Sequence, residues 1–286
     1  QGPELRTGTV AEPVALRNGD IVEICEISEN VKAGRSTKIM LPELTLPYLV
    51  PGQEVLLDDG KIHLKIVEKA ENVTENGGEN TQEKRYFAKV LWGGLLKSRK
   101  SAALPGAKIY PPTLTNSDLA NIKIAKEMGV TGVMQPFVRD HSDLECVKEA
   151  LREAGAEDIR LFAKIENMDG VRKLEKLLPA ADEIVIARGD LGNAVHLWDL
   201  PGVQRQISEK CRAAGKPFMV VTQMLASMER SPVPTRAEVN DIFHAVMDGA
   251  ASIMVTGETA VGDYPVEVIR YMVNTVRSAE KKKIDK

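Results

Sequence analysis

The sequence predicts an α/β chain: an all-β segment of about a hundred residues, then a run of βα units. Three observations carry this. From about Val10 to Ala103, short β-type runs alternate with turn residues. After Pro105 the apolar period lengthens to that of helices. Between those helices lie near-continuous Val/Ile/Phe runs spaced one βα unit apart, as parallel strands buried on both faces require.

In the first segment Ile21–Ile27, Lys38–Met40, Glu54–Leu57, Ile62–Val67 and Tyr86–Leu91 read as strands. Asp58-Asp59-Gly60 supplies residues that tolerate positive φ and predicts a hairpin. The polar stretch Glu71–Lys84, centred on Asn76-Gly77-Gly78, is expected to be a mobile loop tip. Gln1–Gly8 carries turn residues and charges with no strand before them, and reads as the end of a preceding element.

In the second segment Ser117 or Asn116 is expected to cap a helix that runs to about Met128 and stops at Gly129. Apolar Val130–Val138 follows, then helix His141–Ala154, strand Ile159–Ala163, helix Gly170–Leu178 and strand Glu183–Ala187. Helix Leu200–Ala214, strand Pro217–Val221, helix Thr235–Asp248, strand Ser252–Val255 and helix Pro265–Lys281 complete the series. Five successive parallel units fit either a (β/α) barrel or a doubly wound sheet, and a barrel closes only with eight strands.

Composition excludes several classes. A net charge of -3 with both signs mixed, and 4% aromatic residues, offers neither a basic face nor stacking platforms for nucleic acid. No apolar run approaches the length of a membrane span, and the first ten residues lack the pattern of a signal peptide. Cys25, Cys146 and Cys211 show no Cys-x-x-Cys spacing, which predicts reduced thiols in a cytoplasm and no zinc site.

The chemistry concentrates between Phe162 and Gly192. Lys164, Glu166 and Asp190 stand where apolar runs stop, and in such folds reacting groups gather at the carboxyl ends of strands. Glu166 and Asp190 are one βα unit apart and can hold a hard divalent cation between them. With Lys164 beside them, such a cation suits phosphoryl transfer or enolate formation, both of which build anionic charge on oxygens. The alternative is salt bridging at a strand rim.

Gly189 would let backbone N–H groups approach an anion. Thr222, ending a strand, can relay a proton, bind substrate or simply bond a nearby carbonyl. Thr256–Ala260 offers a weak phosphate-cradle signal or a turn, and the four histidines read as surface or packing residues. Met224 and Met228 read as core. Lys97, Arg99 and Lys100 form a short basic cluster, either a solvated face or part of a hinged lid.

Phe-Ala-Lys164-Ile-Glu166-Asn167, Ala-Arg188-Gly189-Asp190-Leu-Gly192, Thr222-Gln-Met-Leu225, Pro234-Thr-Arg236-Ala-Glu238 and Gly257-Glu-Thr-Ala260 with Tyr264-Pro265 resemble, in order and spacing, the pyruvate kinase family. Gly2–Gly8 is similar to the family segment that leaves the third barrel strand. The resemblance implies a (β/α)8 TIM-type barrel, incomplete in this chain, with an inserted small all-β lid: residues 1–8 ending the third strand, 9–103 the lid and 104–286 the rest of the barrel. It implies Mg2+-dependent (or Mn2+-dependent) phosphoryl transfer from phosphoenolpyruvate to ADP in a cytoplasmic homo-oligomer, with K+ as a second cation.

By the same resemblance Glu166 and Asp190 hold the divalent metal, and Lys164 neutralises the phosphoryl group in flight. Gly189 and Asp190 receive the substrate carboxylate, Thr222 sits near the carbon that takes up a proton, and Arg6 and Lys100 approach the nucleotide phosphates. Pro136, Ser101, Ala103, Val233, Thr256 and Val261 depart from the family's usual residues. They keep in view a paralogue with another acceptor or enolate reaction, and a non-catalytic binding protein. The first two strands, most of the third, most potassium ligands and the regulatory C-terminal domain have no counterpart in the sequence, so a natural chain longer by about 60 to 90 N-terminal residues is expected.

Overall fold

Alternating burial along short strands builds the first part of the chain. In the computed structural model, β1 (Val14–Leu16), β2 (Ile21–Glu26), β3 (Lys38–Leu41), β4 (Glu54–Leu57), β5 (Ile62–Ala70), β6 (Arg85–Trp92), β7 (Gly94–Leu96) and β8 (Ala102–Ala103) form two sheets. One is six-stranded, in the order β3-β2-β6-β5-β4-β8, and the other pairs β1 with β7. Among the described residues of this segment, only β2 and β3 pair in parallel. Val22, Ile24, Val55, Leu57, Leu64 and Val90 lie in its core.

The predicted hairpin is present between β4 and β5. Asp59 (φ 57°) and Gly60 (φ 79°) take the positive φ that a primed turn demands, and Lys61 N–H donates to Asp58 O at 3.2 Å. The structure describes residues 5–27, 37–70, 85–107 and 109–284, so the predicted loop Glu71–Lys84 lies outside the described residues. The chain divides into two units, one within Pro3–Pro112 and one within Thr113–Lys286.

In the second unit β9 (Gly132–Gln135), β10 (Arg160–Ile165), β11 (Glu183–Ala187), β12 (Phe218–Val221) and β13 (Ser252–Met254) pair in parallel, each beside its sequence neighbour. That order decides what periodicity left open, because a doubly wound sheet reverses its strand order at a switch point and this one does not. The sheet is an arc of an incomplete TIM-type barrel. The helices are α1 (Asn116–Ala125), α2 (His141–Glu153), α3 (Met168–Arg172), α4 (Leu174–Leu177), α5 (Arg188–Ala194), α6 (Leu200–Ala213), α7 (Arg236–Met247), α8 (Gly257–Ala260) and α9 (Pro265–Ile284).

Each strand has two faces with different fates. Leu161, Ala163, Ile165, Ile184, Ile186, Phe218 and Val220 join the main core with the helices. Val185, Ala187 and Val221 form a separate cluster on the other face, against Phe162, Met219 and Met254. Lys164 shares that second face, since register sets it beside Val185. Met224 and Met228 are fully buried in the main core.

Local chemistry corrects two expectations and bounds a third element. The cap of α1 is Thr115, whose hydroxyl accepts from Asp118 N–H at 3.1 Å while Asp118 Oδ2 accepts from Thr115 N–H at 2.8 Å. This reciprocal capping box outcompetes Asn116 or Ser117. The helix expected over Gly170–Leu178 is two short pieces, α3 and α4, divided at Lys173. The apolar run Val130–Val138 yields only a four-residue strand, ending before Pro136, which has no N–H to extend the ladder. The three cysteines are free. No described helix is long and apolar enough to cross a membrane.

Candidate active site

Strand pairing brings the polar residues to one rim. β10 ends at Ile165, paired with Ile186, so Glu166 stands level with Ala187, three residues before Asp190 in the first turn of α5. Lys164 Nζ lies 2.6 Å from Glu166 Oε1. Glu166 is 3% exposed, and its other oxygen accepts the Phe137 N–H at 2.7 Å. Phe137 itself sits at φ 52°, directly after Pro136. Asn167 continues the tie: its Oδ1 accepts Gly170 N–H at 2.9 Å, capping α3, and its Nδ2 donates to Val138 O at 3.2 Å. Two consecutive residues thus fasten β10 to the loop after β9.

That loop has its own anchor. Arg139 Nη2 donates to Asp143 Oδ1 at 2.6 Å, Arg139 Nε to Oδ2 at 3.0 Å, and Thr113 Oγ1 to Oδ1 at 2.6 Å. Burial alone would raise the Asp143 carboxyl, but the donors from Arg139 and Thr113 outweigh it and hold it below the usual carboxylate range.

Gly189 and Thr222 meet at the neighbouring strand ends. A Cβ on Gly189 would lie 3.1 Å from Thr222 Cγ2 and 3.7 Å from its Oγ1, so any larger residue would force Thr222 to give by a few tenths of an ångström. Thr222 (φ 79°) and Gln223 (φ 55°) both occupy the left-handed region. For a β-branched residue that conformation costs on the order of 1–3 kcal/mol and persists only where neighbours enforce it. The N-cap of α5 is Ala187, whose side chain makes no cap hydrogen bond.

Arg188 is one such neighbour. Its Nη2 donates to Thr222 O at 2.7 Å and its Nη1 to Asp241 Oδ2 at 2.6 Å. Buried Glu258 is another anchor, accepting from Leu225 N–H at 3.2 Å and Thr256 N–H at 2.9 Å. The Gly-Glu-Thr stretch is therefore a short helical turn stitched to the β12 loop.

Of the predicted site residues, Lys164 meets Glu166, Gly189 meets Thr222, and Asp190 follows on the adjacent strand end. Arg6 and Lys100 belong to the first unit. There Arg6 Nη1 donates to Arg99 O at 2.8 Å, Lys100 Nζ lies 2.6 Å from Asp58 Oδ1, and an isolated bridge joins Arg6 to Ser101. Of the histidines, only His63 is buried, packed 4.9 Å from the Trp92 ring. Sequence reading gave no role to Arg188, Asp241 or Glu258. The one local signal was an arginine directly following five strand residues that are all buried.

A parallel βα arc with an ammonium, two carboxylates and a strained threonine at its carboxyl-end rim defines an α/β-barrel protein with its polar site at the usual end of the strands. Residues 1–269 match the family model described as pyruvate kinase, barrel domain, and the chain belongs to that family. It is similar to the pyruvate kinases of Bacillus licheniformis (36% identical, covering 98% of this chain and 46% of that one) and Geobacillus stearothermophilus (37%, 95% and 44%). It is also similar to that of Chlamydia trachomatis serovar D (33%, 98% and 55%). The chain spans about half the length of the curated relatives it matches.

Proposed function

We propose that this chain supplies the barrel rim of a pyruvate kinase, which transfers the phosphoryl group of phosphoenolpyruvate to ADP in a Mg2+-dependent reaction and yields pyruvate and ATP. The observation that carries the reading is the Lys164–Glu166 pair at a strand end, one strand from Asp190, in a chain that matches this family over residues 1–269.

The donor set fits a small hard cation. Mg2+ keeps several waters and needs only one or two carboxylates plus substrate oxygens, so Glu166 and Asp190 suffice without the larger acid or histidine cluster that is absent among the described residues. When bound, the metal supplies positive charge to the oxygens on which the reaction builds negative charge. Mn2+ would serve in the same place, and K+ is the second cation the family resemblance implies.

Lys164 then neutralises the phosphoryl oxygens in flight. The amides of Gly189 and Asp190, in the first turn of α5 after Ala187, receive the substrate carboxylate. The Thr222 hydroxyl, bonded to no described residue, stands ready for a proton relay to the enolate carbon. Arg6 and Lys100 meet the nucleotide phosphates. A lactate dehydrogenase-coupled assay on the full-length natural protein tests this: pyruvate forms only with both ADP and Mg2+, and the absence of Mg2+-dependent pyruvate formation refutes it.

A further inference from the structure

We propose that Arg188 is a positioning residue for the Thr222 hydroxyl, its guanidinium fixed by Asp241 and holding the Val221–Met224 loop in the conformation that sets that hydroxyl beside Gly189. The loop contains two successive non-glycine residues at positive φ, one of them β-branched. A free loop of this sequence would relax to negative φ.

Glu258 fastens the chain beyond this loop at Leu225, and Arg188 holds the strained residues themselves. Arg188 donates from Nη2 to Thr222 O at 2.7 Å and from Nε to Val221 O at 3.4 Å, and the same Nη2 lies 2.8 Å from the buried Met224 Sδ. The remaining branch, Nη1, reaches Asp241 on α7 at 2.6 Å. A planar fork with donors in fixed directions does this, and a lysine ammonium on a flexible stem does not.

The next residue meets the opposite side. The missing Cβ of Gly189 leaves the space that Thr222 Cγ2 faces, since a Cβ there would lie 3.1 Å from it. The dipeptide Arg188-Gly189 thus holds the Thr222 carbonyl with one residue and leaves room for its side chain with the other. Asp241 couples this grip to α7, whose Glu238 also holds Ser227 farther along the same loop.

The inference rests on the proposed reaction for its chemical consequence. The enolate of pyruvate takes a proton on C3 from the Thr222 relay as its oxygen electron pair closes to the ketone carbonyl, and the relay regains a proton from solvent. A displaced hydroxyl slows that transfer while leaving metal and carboxylate contacts in place, so kcat falls more than KM rises.

The test uses full-length protein and the variants Arg188→Met, Arg188→Lys, Asp241→Asn, Thr222→Ala and the double variant Arg188→Met/Thr222→Ala. Hydrogen exchange of the peptide covering 219–228 reads the loop without reference to turnover. Kinetics, together with deuterium uptake into the methyl group of pyruvate, read the proton step.

Arg188→Met should speed loop exchange and lower kcat roughly 100-fold, with KM for phosphoenolpyruvate nearly unchanged. Arg188→Lys should not rescue it. Asp241→Asn, which leaves the arginine in place but unfixed, should move both readouts in the same direction. The double variant should be no slower than Thr222→Ala alone. Unchanged loop exchange in both Arg188→Met and Asp241→Asn, or losses that multiply in the double variant, would overturn the proposal. A wild type without turnover whose loop nevertheless opens in Arg188→Met would refute the assigned reaction while sustaining the grip of Arg188.

Discussion

Replacing Gly189 with alanine measures how tightly the rim is built. The added Cβ would stand 3.1 Å from Thr222 Cγ2, against an ordinary carbon–carbon separation of about 3.5–4.0 Å, an overlap of roughly half an ångström. Thr222 cannot retreat easily, because its carbonyl is held by Arg188 at 2.7 Å and its backbone is already strained. Overpacking of this kind costs about 1–3 kcal/mol. Alanine regains up to about 1 kcal/mol over glycine within a helix, so the net loss of stability should stay within about 2 kcal/mol.

A second effect falls on geometry. Relief of the overlap moves either the first turn of α5, with the amides of Gly189 and Asp190, or the Thr222 side chain. A displacement of up to about 1 Å costs up to roughly 100-fold in turnover, and half of that about tenfold, or about 1.4 kcal/mol of barrel-rim alignment. Coupled turnover assays beside a thermal melt of the full-length protein would show a small shift in melting and a fall in kcat. A Gly189→Ala variant with wild-type kcat would refute the reasoning, because the close approach would then be incidental.

Two further outcomes follow from the same geometry. Glu166→Ala removes both the partner of Lys164 and the acceptor of Phe137 N–H, and should cost about 3 kcal/mol in urea unfolding. Glu166→Gln keeps an acceptor and should cost less, yet both should lose the response of turnover to Mg2+; equal stability losses would show that the Phe137 bond contributes nothing. At Asp143 the folded carboxyl lies below its ordinary value of 3.8, so its donors stabilise the fold above that pH. That stabilisation fades as pH falls through the lower folded value. Asp143→Asn should therefore destabilise markedly at pH 7 and progressively less on acidification below 3.8, and a pH-independent cost would contradict it.

How much could be read beforehand varies with the range of the interaction responsible. The strand–helix alternation of the second unit was legible because burial on one stripe or both faces imprints a local period, as in Ile184–Ile186 and α6. The hairpin at Asp59-Gly60 was legible because positive φ selects residue types. Thr222 was legible as a candidate but its conformation was not, since a β-branched residue signals extended backbone by itself and needs tertiary partners to depart from it. Arg188 and Asp241 are 53 residues apart, and no periodicity links them.

The sequence by itself determined the α/β class, the all-β first segment, the family resemblance, and the placing of Lys164, Glu166, Asp190, Gly189 and Thr222 at strand ends. Those features depend on residues near one another in the chain. Only the tertiary structure decided that the five parallel strands lie in sequential order as a barrel arc, that Glu166 is buried against Phe137, and that Arg188 grips the Thr222 loop. Strand order and side-chain partners arise from packing between distant segments, where the free energy lies in contacts the local pattern does not encode.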